Sequence, residues 1–169
     1  MTRKKHKKIR NINEDFIFSS ILVSKFINYL MKNGKKRIAE KIMYSAMFII
    51  SNRLKCNTNM DILEILKFAI KNASPSIDIR SKRIGGSVYQ IPVGIGMARS
   101  LSFGIRWIIE AARKRFGYSM DVKLADEIID ASNSNVVTGK SIGTGEAVKK
   151  KENIQRMAEA NKTFMHYNW

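Results

Sequence analysis

Residues 81–93 read SKRIGGSVYQIPV, and they break the pattern of the rest of the chain. Val88 to Val93 are rich in β-branched and aromatic types, and upstream Ile77, Ile79 and Ser81 alternate with Asp78, Arg80 and Lys82. Alternation at a period of two is the mark of a strand. Gly85-Gly86 between the two halves tolerates the positive φ that a tight turn requires, so the segment predicts a β-hairpin over 76–93. A lone two-stranded ribbon is marginal in water and must lean on helices or on a partner. Its cations, Arg80, Lys82 and Arg83, gather toward the turn, where an extended arm touches a ligand.

Outward from this hairpin the chain reads as helix in both directions. Ile21, Leu22, Phe26, Tyr29 and Leu30 recur at helical spacing, and Asn33-Gly34 stops the run. A second helix opens on Lys35, Lys36 and Arg37, and its apolar face is expected through Ile38, Ile42, Ala46 and Ile49 to Arg53, widened by Met43 and Ile50. A third starts near Thr58, with Asp61 completing a capping-box-like pair; it buries Ile62, Ile65, Leu66, Ala69 and Ile70 and ends before Pro75. Beyond the hairpin, Leu101, Ile105, Ile108 and Ala112 carry a fourth helix to the cluster Arg113, Lys114, Arg115. Ser119 is a candidate cap for a fifth, through Leu124, Ala125, Ile128 and Ile129. SNSNVVTGKSIGTGEA is loop by composition. The segment from Val148 to Trp169 is mostly helix-forming, with Lys149, Lys150 and Lys151 at its start, where they oppose the helix dipole and need another reason to be there. The expected fold is mainly α: a single helical bundle of about six helices over 13–169, one protruding hairpin, and a basic arm over 1–12.

Charge narrows the function. Lys plus Arg number 31 against 14 Asp plus Glu, a formal net charge of +17. Such an excess exceeds what solubility calls for and implies a polyanionic partner, nucleic acid before an anionic membrane. No apolar run approaches the ~18–20 residues that span a bilayer; Met43 to Ile50 reads as a core helix. The start, MTRKKHKKIRN, runs into Glu14 and Asp15 and is not expected to be a secretory leader. Cys56 is the lone cysteine, so no intrachain disulfide is expected.

Catalysis finds no foothold. Gly139-Lys140-Ser141 has the tail of a phosphate-binding loop, but the motif requires glycine at 134, where serine stands, and a strand where helix is expected. His6 and His166 are too few and too far apart in sequence to suggest a metal cluster or a histidine-centred triad. Asp126, Glu127 and Asp130 read as a solvated acidic face of a helix. No enzyme and no cofactor is expected.

Five blocks, FINYLMKNGKKRIAEKIMYSA (26–46), SKRIGGSVYQIPV (81–93), RWIIEAARKRFGYSM (106–120), KLADEIIDASN (123–133) and EAVKKKENIQRMAEANKTFMHYNW (146–169), resemble in order and spacing the family of small-subunit ribosomal protein seven in its bacterial form. The resemblance implies a helical bundle with a hairpin arm. It implies binding of the 3′ major domain of small-subunit rRNA, organisation of head assembly, and a place near the exit-site tRNA, the mRNA path and neighbouring head and platform proteins. It implies neither a membrane nor a homo-oligomer.

Carried over by position, the rRNA-binding residues are Arg3, Lys4, Lys5, Lys7, Lys8 and Arg10, then Lys35, Lys36, Arg80, Lys82 and Arg83. They continue through Arg99, Arg113, Lys114 and Arg115 to Lys149, Lys150, Lys151 and Arg156. Tyr89, Tyr167 and Trp169 are candidates for base stacking, the two tyrosines equally for packing, whereas Trp107 lies in an apolar face and reads as core. Lys82, Arg83, Gly85, Gly86, Lys149 and Lys150 would lie nearest tRNA and mRNA. Three departures stand out: GIGMARS after IPV keeps only Arg99 of an arginine- and proline-bearing segment, VVTGKSIGT lengthens the loop near 136–145, and MHYNW is less basic than usual. The abundance of Ile, Asn and Lys fits an organelle, a mitochondrion before a plastid, with a bacterium nearly as apt.

Overall fold

A computed structural model of the protein describes residues 12–55, 58–117, 119–133 and 145–167. Among these, six α-helices and one two-stranded sheet follow in the order α1 (Ile21–Leu30), α2 (Lys36–Leu54), α3 (Asn59–Ala73), β1 (Ile77–Ile84), β2 (Ser87–Gly94), α4 (Met97–Lys114), α5 (Met120–Asn133) and α6 (Glu146–Ala160), closed by a 3-10 turn at Lys162–Tyr167. The mainly helical fold with a single hairpin is the one the sequence predicts.

Local chemistry accounts for most boundaries. Asn33 and Gly34 both take positive φ, 52° and 72°, and turn the chain out of α1 toward α2. Thr58 caps α3 reciprocally: the Asp61 N–H donates to Thr58 Oγ1 (3.3 Å) and the Thr58 N–H donates to Asp61 Oδ2 (3.1 Å), which satisfies two donors that a bare helix end leaves orphaned. In the hairpin, β1 and β2 pair antiparallel from Ile77↔Gly94 to Ile84↔Ser87, and Gly85 and Gly86 turn at φ 56° and 93°.

Helix α5 lies at the centre, packed against α2, α3, α4 and α6. Phe26, Met43, Ile50, Leu66, Ile105, Ile108, Leu124 and Ile128 fill one core with essentially no exposed surface, each such side chain contributing about 1.5–3 kcal/mol by leaving water. Gly104 permits the close approach of α4 to α3, because a Cβ there would meet Ser74 Oγ at 2.5 Å and the Ile70 carbonyl at 3.0 Å. Trp107 is buried against Phe103, ring centroids 5.8 Å apart, as its apolar face predicts.

Three expectations are corrected. The buried face of α2 is Ala39, Met43, Ala46, Met47 and Ile50; Ile42 and Ile49 sit at its margin and Ile38 is 56% exposed. Helix α6 opens at Glu146 after Gly145, so Lys149–Lys151 lie beyond the orphan N–H groups of the first turn and oppose the dipole less than expected. The acidic stretch of α5 is not a solvated face: Glu127 is 0% exposed and Asp126 pairs with Arg53 of α2.

Candidate nucleic-acid interface

The hairpin presents two different faces. Cross-strand partners share a face, so Lys82 with Tyr89 and Arg80 with Ile91 lie on one side, and Arg83 with Val88 on the other. On the first side Ile91 is buried, and the Tyr89 ring packs against Phe164 (5.1 Å) and Tyr167 (6.0 Å) of the 3-10 turn. Lys82 Nζ donates to the Tyr167 carbonyl at 3.3 Å. Arg80, Arg83, Gly85 and Gly86 are exposed, and so is Val88, opposite Arg83. The two tyrosines therefore serve packing; Tyr167 reaches the hairpin instead of standing free as a stacking platform. At the base of the arm, Arg99 pairs with Asp78 of β1 (3.6 Å) and lies over the Phe103 ring at 5.4 Å.

A second basic group forms where α4 meets α6. Glu110 accepts from Lys150 (2.7 Å) and pairs with Lys114 (3.6 Å), while Lys149 pairs with Glu146 (3.2 Å). Lys150 Nζ also lies 5.7 Å from the centre of the Trp107 ring. The Lys150 ammonium holds the Glu110 carboxyl below its usual range. Three lysines around two carboxylates leave this surface positive, with its side chains 41–70% exposed. Arg156 of the same helix is exposed.

Two of the expected RNA contacts are occupied inside the protein. Arg115, at the end of α4, donates to Glu127 (2.6 Å) and to Asp130, and only 23% of its side chain is exposed. Glu127 in turn accepts from the Ala147 N–H at the start of α6 (2.9 Å). Burial raises the Glu127 carboxyl above its usual range despite the Ala147 N–H and the guanidinium, and despite its own burial Arg115 is held above its usual range by Asp130 and Glu127. Arg115 is thus a structural clamp between α4, α5 and α6. Lys151 turns inward as well: it is half-buried, donates to the Asn72 carbonyl at 2.8 Å, and burial depresses its pKa.

Arg113 and Lys35 are brought together with Lys32 around a shallow notch floored by Leu30, Ile42 and Met120. Arg113 donates to the Leu30 carbonyl (3.3 Å), and Lys36 pairs with Glu40 (3.6 Å) while staying largely exposed. The expected contacts Arg3, Lys4, Lys5, Lys7, Lys8, Arg10 and Trp169, and the loop at 136–144, lie outside the described residues.

A further group was missed by sequence reasoning. Arg106 lies over the Tyr29 ring at 5.2 Å, and Lys25, Asn28, Tyr29 and Ser102 line one recess between α1 and α4. A Ser102 hydrogen bond, with Arg106 and Lys25 nearby, lowers the Tyr29 phenol below its usual pKa. The signal was a lysine four residues before a tyrosine on one helix, which puts both on one face. Among the described residues no cluster of His, Cys, Asp and Glu is arranged to hold a metal, and no helix is long and apolar enough to cross a membrane.

Comparison with known proteins accords with this geometry. The family model described as ribosomal protein S7p/S5e matches residues 2–162. The chain is 46% identical to the small ribosomal subunit protein uS7 of Thermoanaerobacter sp. (strain X514) over 169 residues, 100% of both chains. It is 41% identical to the protein of the same name from Mycoplasmopsis synoviae (strain 53), again across 100% of both. With that of Dictyoglomus turgidum it shares 45% over 160 residues, 95% of this chain and 94% of the relative.

Proposed function

Because the chain belongs to the ribosomal protein S7p/S5e family, we propose that this small-subunit ribosomal protein binds the 3′ major domain of the subunit's rRNA. In the same reading it organises assembly of the head and lies near the exit-site tRNA and the mRNA path, among head and platform proteins. Its relatives are named as ribosomal proteins, not as enzymes. The observation that carries the reading is the spread of exposed cations over several elements: Arg80 and Arg83 on the hairpin, Lys114 on α4, Lys149 and Arg156 on α6. A reader of duplex DNA concentrates its contacts on one recognition helix, whereas folded RNA offers phosphates at irregular angles that call for cations on arms, loops and helix ends.

Lys82, Arg83, Gly85 and Gly86 at the hairpin tip, with Lys149 and Lys150, are the residues assigned to the tRNA and mRNA side. The bacterial relatives support a bacterial-type ribosome and lend nothing to the mitochondrial preference drawn from composition.

The test is a titration of the full chain against the isolated 3′ major domain, with duplex DNA of equal charge as competitor, at several salt concentrations. Preference for the RNA persists as salt rises, and Arg80→Ala with Arg83→Ala weakens it, lowering the salt slope by about one per lost phosphate contact. Equal affinity for both polymers, collapsing together with salt, would return the chain to a general architectural nucleic-acid binder.

A further inference from the structure

The hairpin is too small to hold its own shape, yet it carries Arg80 and Arg83, both exposed and neither in an ion pair with an acidic side chain among the described residues. Helix α6 packs on β1, and the 3-10 turn packs on β2. Phe164 and Tyr167 stack with each other (6.3 Å, 16° between planes) and both face Tyr89 in the middle of β2. The Tyr167 carbonyl accepts from Lys82, directly across the ladder from Tyr89. The turn thus grips both strands at one level, Tyr89 by its ring and Lys82 by its ammonium, each three residues from the glycine pair. On the other side of the hairpin Ser81, Arg83, Val88 and Gln90 stay in solvent near the turn, while Pro92, toward the base, is buried.

We propose that Phe164 and Tyr167 are positioning residues for RNA binding: the 3-10 turn is a strap that holds the hairpin at the angle at which Arg80 and Arg83 meet phosphate. The proposal rests on the RNA-binding reading above. Neither aromatic touches RNA in this role. They act through Tyr89 and Lys82, by raising the fraction of molecules whose arm is already docked, and an apparent dissociation constant scales inversely with that fraction. Alternation along β1 turns Lys82 toward the strap and its neighbour Arg83 away from it.

The experiment uses the full chain carrying Phe164→Ala and Tyr167→Ala together, with Tyr167→Phe as the conservative variant, each with and without Arg83→Ala. Hydrogen exchange is read on the free protein, and affinity is measured for the 3′ major domain of small-subunit rRNA. The double alanine variant is expected to speed exchange of the amides of 79–91 by about tenfold while those of α2 and α5 are unchanged, since the opening is local. RNA affinity falls about tenfold where the docked fraction drops to about a tenth, because the apparent dissociation constant follows the docked fraction and not the opening rate. Arg83→Ala then has a smaller effect in this background than in the parent chain, a coupling that a merely structural loss elsewhere would not produce. Tyr167→Phe behaves as the parent, because the Lys82 contact is to a backbone carbonyl.

Unchanged hairpin exchange overturns the strap whatever the RNA does. A loosened hairpin with unchanged RNA affinity overturns its positioning role. If Arg83→Ala has no effect in the parent chain, the hairpin's part in RNA binding fails, identifiably, and the proposal fails with it.

Discussion

Glu127 has no exposed surface, and it is held on three sides: by its own helix α5, by Arg115 from the end of α4, and by the Ala147 N–H that opens α6. Removing one partner of such a set leaves the others buried without compensation. Glu127→Ala should cost about 3–5 kcal/mol of stability, measured by urea unfolding, because it strands the buried Ala147 N–H and leaves Arg115 with Asp130 as its one remaining acidic partner. Glu127→Gln still accepts from Ala147 and should cost less; equal loss for both would show that the N–H contact carries little. The sequence contained the clue. Leu124, Glu127, Ile128 and Ala131 fall on one helical stripe, and a carboxylate in an apolar stripe asks for a buried cation. Reading three acids within five residues as a solvated face set composition above phase. The same residue scale explains Arg115: three consecutive cations look alike as letters, and only the helix end decides that Arg113 reaches the Leu30 carbonyl, Lys114 stays in solvent and Arg115 turns to the acids.

Among the elements, the hairpin was the most legible because period-two alternation and a glycine pair are local signals. The turn itself provides a sharp test. Gly86 sits at φ 93° with open space around it, so a methyl group there meets no neighbour and the cost is backbone strain alone. Gly86→Ala should loosen the hairpin by roughly 1–3 kcal/mol, seen as faster exchange in 77–94 with the melting of the helical core unmoved; a full-size drop in the core melting temperature would contradict the separation of arm and bundle. Thr58 is the matching case for a helix. Thr58→Ala removes half of a reciprocal cap and should cost about 1 kcal/mol, read as a lower urea midpoint at constant slope. Helix α2 shows what the letters hide. Its isoleucines suggested a stripe through Ile38, but the seam packed against α5 runs through the smaller Ala39 and Ala46 with Met43, Met47 and Ile50, and Ile42 and Ile49 lie at its margin. The 3-10 turn at 162–167 was read only as the tail of a helix-forming segment, because what stabilises it is contact with Tyr89, more than seventy residues away in sequence.

The chain carries a formal charge of +17, and its described residues enclose one helical core with exposed cations on the hairpin, α4 and α6. That spread, and not any single site, is what a folded RNA of irregular shape requires, and full-length identity to named small-subunit proteins gives it a place. Composition exposed the charge, but which cations are free and which are spent inside the fold emerged only from packing: Arg115 and Lys151 are spent, Arg80 and Arg83 are not. The most direct measurement is footprinting of the intact small-subunit rRNA with the full chain at physiological salt. The account predicts protections confined to the 3′ major domain, diminished by Arg80→Ala with Arg83→Ala. Protections scattered evenly over every domain would contradict it, leaving nonspecific phosphate attraction as the only binding the chain possesses.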